Sequence, residues 1–338
     1  MHKWYEKSGP DSETVLSCRV RLARNFADLP FPSKMSRSDL ERSRERVKRA
    51  LSLCSRAQDY RYILMEEMTE SEAVSFAERQ LCTPEFIAKT SGRALFFTSD
   101  EGDSITVNGA DHLRIQILRT GNQLSAALET ADQLDTQLDR NLRFAFRRDL
   151  GYLTQSPMDL GTGMVAGLQL HLPALEQLGE MDRICTDLIG LGFVMRSLYG
   201  TDAAIYEMRN RITLGISETE AVQNLSALAR QVIMREKKAR EEMLSQPQTQ
   251  EKIRGSLSIL QTARILPQEV FFDCYSKIRV GIFAGLIRGL TAEQLDTLKI
   301  AVQPATLTVQ AGRELDAKQC QIRRAQFVST ALQGVRLC

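Results

Sequence analysis

Residues 151–175, GYLTQSPMDLGTGMVAGLQLHLPAL, set a Gly-rich turn, Asp159-Leu160-Gly161-Thr162-Gly163, between two apolar runs. Gly161 and Gly163 permit a positive φ or a close approach of backbone to a ligand. Backbone N–H groups bared in such a loop can cradle an anion. Gly-x-Gly alone fits a plain turn equally well. The Ser156-Pro157 before it and the apolar strand after it make the longer string far more specific.

Working outward, VLSCRVRLARN (15–25) gives Arg19 and Arg21 one parity, so as a strand it points both to one face. Adjacent arginines repel unless an anion lies between them. They are a solvated edge or a phosphate clamp, since guanidinium forks match phosphate oxygens. Residues 94–118 read as β structure, with a hairpin signal at Asn108-Gly109. HLRIQIL then alternates Leu113, Ile115 and Ile117 against Arg114 and Gln116. His112 stands at the strand start, where a structural role is commoner than a catalytic one. Leu124 to Arg148 has a helical pattern that leads into Gly151.

Downstream, Ala174 to Leu191 reads as one helix. A strand over Phe193 to Tyr199 carries Arg196, and a loop at 200–202 leads to a strand over Ala204 to Leu214. Ser36 to Leu53 is an amphipathic helix, and Thr83-Pro84 opens a short one. Capping boxes at Thr69/Glu72, Ser217/Glu220 and Thr291/Gln294 open further helices. The helix from Ser217 continues to Ser245, and its basic run Arg235 to Arg240 reads as a solvated face. Polar residues Gln246 to Gln250 mark a boundary, beyond which the pattern is helical. The expected class is α+β. An antiparallel β-sheet flanked by helices fills 12–245, and a smaller all-helical C-terminal domain fills 246–338.

The chain has 338 residues, 43% hydrophobic and 25% charged, typical of globular proteins. A net charge of +2 gives no electrostatic case for nucleic acid or membrane binding. Seven scattered cysteines without a C-x-x-C pair predict no disulfide framework and no zinc or other metal site, but reduced thiols in a cytoplasm. No apolar signal region or membrane-spanning run stands out.

Five blocks stand in order: SCRVRLARN, VNGADHLRIQIL, GYLTQSPMDLGTGMVAG, VMRSLYG and NRITLG-x-SE. This order resembles the ATP:guanidino phosphotransferases, and within them the bacterial protein-arginine kinases. The C-terminal part is similar to that branch from SILQTARIL to IRRAQF. The resemblance implies the guanidino kinase catalytic fold and transfer of the γ-phosphoryl of Mg-ATP to an arginine side chain of another protein. Catalysis of this kind is mostly positioning plus charge stabilisation. The family uses five arginines on the phosphates, and carboxylates and a thiolate on the guanidinium.

Carried over by position, the phosphate arginines fall on Arg19, Arg21, Arg114 and Arg196, with His112 beside them and the Gly161-Thr162-Gly163 loop at the nucleotide. The fifth arginine of the string C-P-x-N-x-G-T-x-x-R-A-S falls on Val165, its cysteine on Ser156 and its asparagine on Asp159. In N-E-E-D-H-L-R both glutamates are replaced, by Gly109 and Ala110, and the carboxylate of R-G-x-x-G-E falls on Thr201. The losses thus concentrate on the acceptor side. A serine cannot stand in for a thiolate at neutral pH, and losing a general base costs about 10²–10⁴ in rate. Asp111 would point to the wrong face of a regular strand. Asp202, in a loop, is the candidate replacement carboxylate. In the C-terminal domain the phosphoarginine-binding element R-D-x-x-R-A is Cys320-Gln321-Ile322-Arg323-Arg324-Ala325, where Arg323-Arg324 also fits a solvated helix face.

The resemblance therefore implies a nucleotide-binding family member impaired in phosphotransfer, acting as a regulatory pseudokinase. The alternative is an active protein-arginine kinase of the stress response that marks proteins for a Clp unfoldase–protease, with Asp202 in the acceptor site. Implied ligands are ATP or ADP, with Mg²⁺ held through the nucleotide. Implied partners are that protease, a zinc-binding activator protein, an active paralogue and a second copy of the chain.

Overall fold

The computed structural model describes residues 2–338, without the side chain of Thr201. Its centre is a sheet of eight strands: β1 (Val15–Arg24), β2 (Tyr60–Leu64), β3 (Ala94–Thr98), β4 (Asp103–Val107), β5 (Leu113–Thr120), β6 (Met164–His171), β7 (Phe193–Leu198) and β8 (Ile205–Asn210). The order is β2-β3-β4-β5-β1-β6-β8-β7, with every pairing antiparallel. The helices are α1 (Arg37–Ser52), α2 (Glu70–Glu78), α3 (Pro84–Ile87), α4 (Leu124–Leu142), α5 (Pro173–Gln177), α6 (Met181–Gly190) and α7 (Glu218–Leu244). The C-terminal part adds α8 (Pro247–Thr262), α9 (Gln268–Phe283), α10 (Ala292–Ala301), α11 (Pro304–Ala311) and α12 (Ala317–Ala331). The fold is α+β with a helical C-terminal part, whose only departure among the described residues is a two-residue ladder, Ile287–Arg288 with Arg336–Leu337.

Alternation decides which face of the sheet is dry. Cys18, Val20 and Leu22 of β1 and Leu113, Ile115 and Ile117 of β5 are buried. Helix α4 covers them, turning Ala127, Ala131 and Leu138 inward. Each large apolar side chain so buried contributes about 1.5–3 kcal/mol. The opposite parity of β1, carrying Arg19 and Arg21, is left to a polar face. Ser36, Thr69, Ser217 and Thr291 all cap their helices through reciprocal boxes, with Asp39, Glu72, Glu220 and Gln294.

Several expectations need correction. Helix α4 stops at Leu142, because Arg143 turns left-handed (φ 52°). The helix expected from Ala174 to Leu191 is two helices, broken where Gly179 takes φ 68°. The β4–β5 connection spans residues 108–112, not two, with Asn108 at φ 60°. The polar run Gln246 to Gln250 caps and opens α8, where Pro247 suits the N-terminal position, a matter of local structure and not of the domain division expected there. The run Arg235 to Arg240 is not simply a solvated face. Glu236 and Arg240 are a buried pair (Nη2 to Oε1 2.9 Å), and Glu236 also accepts the Ala174 and Leu175 amides at the start of α5.

The C-terminal helices are tied to the rest through buried polar contacts. Arg279, fully buried, donates to the Glu13 and Ser12 carbonyls. Glu78 of α2 accepts the Ala305 and Thr306 amides (2.9 and 2.7 Å) and so caps α11. Arg324 is buried, donating to the Val302 and Leu266 carbonyls, while Arg323 is exposed. The solvated-face reading therefore fails for Arg324.

Candidate functional site

The polar face of the sheet forms the floor of a cavity of about 730 Å³. Register explains the clustering, because residues paired across antiparallel strands share a face. One row runs Arg19 (β1), Gly167 (β6), Arg209 (β8) and Val194 (β7). The next holds Arg21 and Val165, and the row on the other side Gln169, Glu207 and Arg196. Arg114 reaches the same cavity from the start of β5. With Arg211, six arginines line it against three carboxylates, Glu85, Asp159 and Glu207.

The carboxylates do not neutralise this set evenly. Glu207, buried, accepts from Arg19 and from Arg196 (Nε 2.9 Å, Nη2 2.8 Å). Arg114 is held by Asp111 (Nη2 to Oδ2 3.1 Å). Among the described residues no ion pair holds Arg21 or Arg209. Burial, with the charges of Arg196 and Arg209, lowers the Arg19 guanidinium to about 10. Burial, with Arg19 and Arg114 nearby, lowers Arg21 to about 9, against a raising influence from Asp159. Both remain cationic at neutral pH, and crowded like charges of this kind favour an anion.

A second cavity of about 480 Å³ adjoins the first and shares Arg21, Cys82, Thr83, Glu85 and Arg114 with it. Gly109 and Ala110 line this second cavity, while Ser156 and Asp159 line the first. Cys82 lines both, but burial pushes its thiol up to about 12, so it supplies no thiolate in place of Ser156. Glu85, on the first turn of α3, stands at the junction. Its own backbone amide and Thr83 hold its carboxyl below the usual range, helped by Arg21 and Arg114.

Other residues singled out in the sequence lie elsewhere. Gly161 and Gly163 have φ of 105° and 61°, but they serve close packing. A Cβ on Gly161 would lie 2.1 Å from the Thr213 carbonyl oxygen, and one on Gly163 2.7 Å from that of Ala23. The Thr162 amide donates to Thr213 at 2.9 Å, so it is not bared to a ligand. None of the three lines the arginine cavity. His112 is fully buried, stacked on Phe26 (centroids 4.6 Å) with Nδ1 2.8 Å from Asn25 Oδ1. Burial lowers it to about 4, and it does not line the arginine cavity. Asp202 lines a different cavity, with Pro173, Glu176 and Lys277. Thr201 has its backbone in the turn Thr201–Ala203, and its side chain lies outside the described residues. Asp111 precedes β5, so the strand-parity argument does not apply to it. It accepts from Asn25, Arg114 and the Gln155 amide, bracing the site from below. Sequence reasoning missed Glu207, Arg209 and Glu85. The first two carried a signal, since Glu207 and Arg209 share one parity of the strand.

The phosphate chain of a nucleotide suits the arginine face, since guanidinium groups bind phosphate oxygens bidentately. Among the described residues no group of three or more His, Cys, Asp or Glu side chains is placed to hold a metal ion.

Residues 42–239 match the family described as ATP:guanido phosphotransferase, C-terminal catalytic domain, and residues 246–336 the Protein-arginine kinase McsB C-terminal domain. A protein-arginine kinase of Symbiobacterium thermophilum is 38% identical over 98% of this chain and 96% of its own. One of Moorella thermoacetica is 35% identical over 98% and 97%. Among solved structures, the duplicated taurocyamine kinase of Schistosoma mansoni with bound transition state analog components superposes with a TM-score of 0.63 at 21% identity. It covers 76% of this chain and 40% of that one. A lombricine kinase gives 0.60 at 21% identity, over 69% and 70%. These likenesses give the guanidino kinase fold, and the near-full-length relatives place the chain in the protein-arginine kinase family of the ATP:guanido phosphotransferases.

Proposed function

We propose that this protein binds Mg-ATP or ADP on its arginine face, is impaired in phosphoryl transfer to arginine, and regulates protein-arginine phosphorylation as a pseudokinase in the cytoplasm. The observation that carries this reading is the asymmetry of the site. Six arginines line the phosphate cavity, while the positions expected to orient the acceptor carry Ala110 and Ser156. A guanidinium is protonated at neutral pH and needs a carboxylate to become a nucleophile. Its regulatory partners would be an active paralogue, a zinc-binding activator protein or a Clp unfoldase–protease, with a homodimer as the expected assembly.

Isothermal titration of Mg-ATP into the wild type and into Arg19→Ala/Arg21→Ala tests the nucleotide half. Heat from the wild type alone supports it, and no heat from either sinks it. Incubation with γ-labelled ATP and an arginine-rich protein tests the other half, where acid-labile label above background would overturn the pseudokinase reading. One observation favours that second outcome, an active kinase. Glu85 sits where the phosphate and acceptor cavities meet. If label appears and Glu85→Gln abolishes it, Glu85 rather than Asp202 is the acceptor carboxylate.

A further inference from the structure

We propose that Arg209 is the fifth phosphate-binding arginine of this protein, supplying from the neighbouring strand the contact that Val165 cannot make. This rests on the nucleotide reading above and deepens it. Val165 on β6 stands opposite Arg21 on β1. Two residues on, Gly167 lies between Arg19 on one side and Arg209 on the other. Arg209 is thus the diagonal same-face neighbour of Val165, a separation that a long side chain spans. It lines the cavity together with Arg19, Arg21 and Val165.

Three further observations support the assignment. First, Arg209 is half-buried, and no carboxylate pairs with it among the described residues, so its charge is available. Second, its charge acts on both Arg19 and Arg21, lowering each, which places its guanidinium in the same field as the clamp. Third, Gly167 occupies the place of the serine in the R-A-S of the family string. A Cβ there would approach the Arg209 Cβ to 3.2 Å and the Met208 carbonyl oxygen to 3.1 Å. A glycine there leaves the space beside the Arg209 Cβ open. The small side chain at 165 and the bare backbone at 167 together make room for an arginine arriving from β8. A solvated strand residue would explain the exposure of Arg209, but not its place in one cavity with Arg19, Arg21 and Val165.

The test is calorimetric titration of Mg-ATP, and separately of inorganic tripolyphosphate, into the wild type, Arg209→Ala, Arg19→Ala and the double variant Val165→Arg/Arg209→Ala. Loss of one charge-assisted contact predicts an affinity about 10- to 100-fold weaker in Arg209→Ala for both ligands. The double variant should regain at least half of that loss on a logarithmic scale, which a folding defect in Arg209→Ala would not allow. Arg209→Ala binding within twofold of the wild type, with Arg19→Ala clearly weakened, overturns the assignment and leaves nucleotide binding standing. Wild type that binds tripolyphosphate but not Mg-ATP, with Arg209→Ala weakened, supports the assignment and overturns the nucleotide reading. Wild type that binds neither overturns both.

Discussion

Glu207 is the carboxylate that the arginine face uses against itself, and Glu207→Gln measures how strongly. In the structure Glu207 is 4% exposed and accepts from Arg19, 20% exposed, and from Arg196, 60% exposed. The Arg196 contacts are largely solvated and worth about 0.5–1 kcal/mol together. The Arg19 contact is sheltered and worth about 1.5–2 kcal/mol. Glutamine keeps one acceptor oxygen but turns an NH₂ donor toward guanidinium donors and leaves the arginines repelling one another. The variant without ligand should therefore lose about 2–3 kcal/mol of stability, a fall in melting temperature of roughly 5 °C. Nucleotide binding should move the other way. A unit charge about 6 Å from a phosphate at an effective dielectric near 20 opposes it by about 2–3 kcal/mol. Halved for solvent screening, that leaves about 1.4 kcal/mol, a tenfold tighter Kd in the variant. Differential scanning fluorimetry with and without Mg-ATP, backed by titration calorimetry, reads both numbers. Weaker binding in Glu207→Gln would refute the reasoning, because it would mean that Glu207 holds the arginines in their phosphate-binding pose. So would an unchanged melt without ligand.

Three further outcomes are expected. Restoring the acceptor side in one variant, Ala110→Glu/Ser156→Cys/Thr201→Glu, should raise labelling of an arginine-rich protein from γ-labelled ATP by about 10²–10⁴; no rise would mean the defect lies elsewhere. His112 is lowered to about 4, below its unfolded value, so its stabilising contribution is complete above the unfolded pKa and is lost as pH falls toward 4. His171, buried beside Arg279 and Arg240, is lowered in the same direction. Between about pH 6 and 5, above the carboxylate range, urea-unfolding stability should fall by up to about 1.4 kcal/mol per histidine, and His112→Gln should shed one such share of the slope. Gly161→Ala would drive a Cβ into the Thr213 carbonyl oxygen at a left-handed φ. It should cost about 3 kcal/mol or more in the melt, while a mild effect would mean the turn can relax away from Thr213.

Local chemistry made much of the fold legible. Ser36, Thr69, Ser217 and Thr291 announce their helices because the bonds of a capping box close within four residues. Leu113, Ile115 and Ile117 announce a covered face because strand period and burial coincide. What stayed hidden depends on partners far along the chain. Glu236 and Arg240 looked solvated, since nothing nearby shows that Glu236 caps a helix 61 residues earlier. The sequence around Gly161 does not show that Thr213, brought alongside by the loop after β8, takes up the Thr162 amide. His112 and Arg114 are two residues apart, yet one is sealed against Phe26 and the other lines the cavity. Arg209 was missed for a different reason. A motif compared position by position registers a loss at Val165, whereas a sheet can replace a side chain from the adjacent strand.

That exchange bears on what the protein keeps. Guanidinium groups held on one face without an anion destabilise the folded chain by mutual repulsion, and Glu207 offsets only Arg19 and Arg196. Arg21 and Arg209 have no ion pair among the described residues, and Asp159 and Glu85 act on Arg21 only through space, so on the proposed function a polyanion would complete the face. The adjoining cavity, proposed for the acceptor, has among the described residues one lining carboxylate, Glu85, which the neighbouring Arg21 and Arg114 already attract. A carboxylate drawn toward phosphate-binding arginines is less available to a guanidinium until phosphate takes those arginines away. Nucleotide binding would therefore release Glu85 toward the acceptor cavity. Whatever phosphotransfer survives should accordingly show ordered binding, nucleotide before acceptor, and product-inhibition kinetics on the wild type would reveal that order.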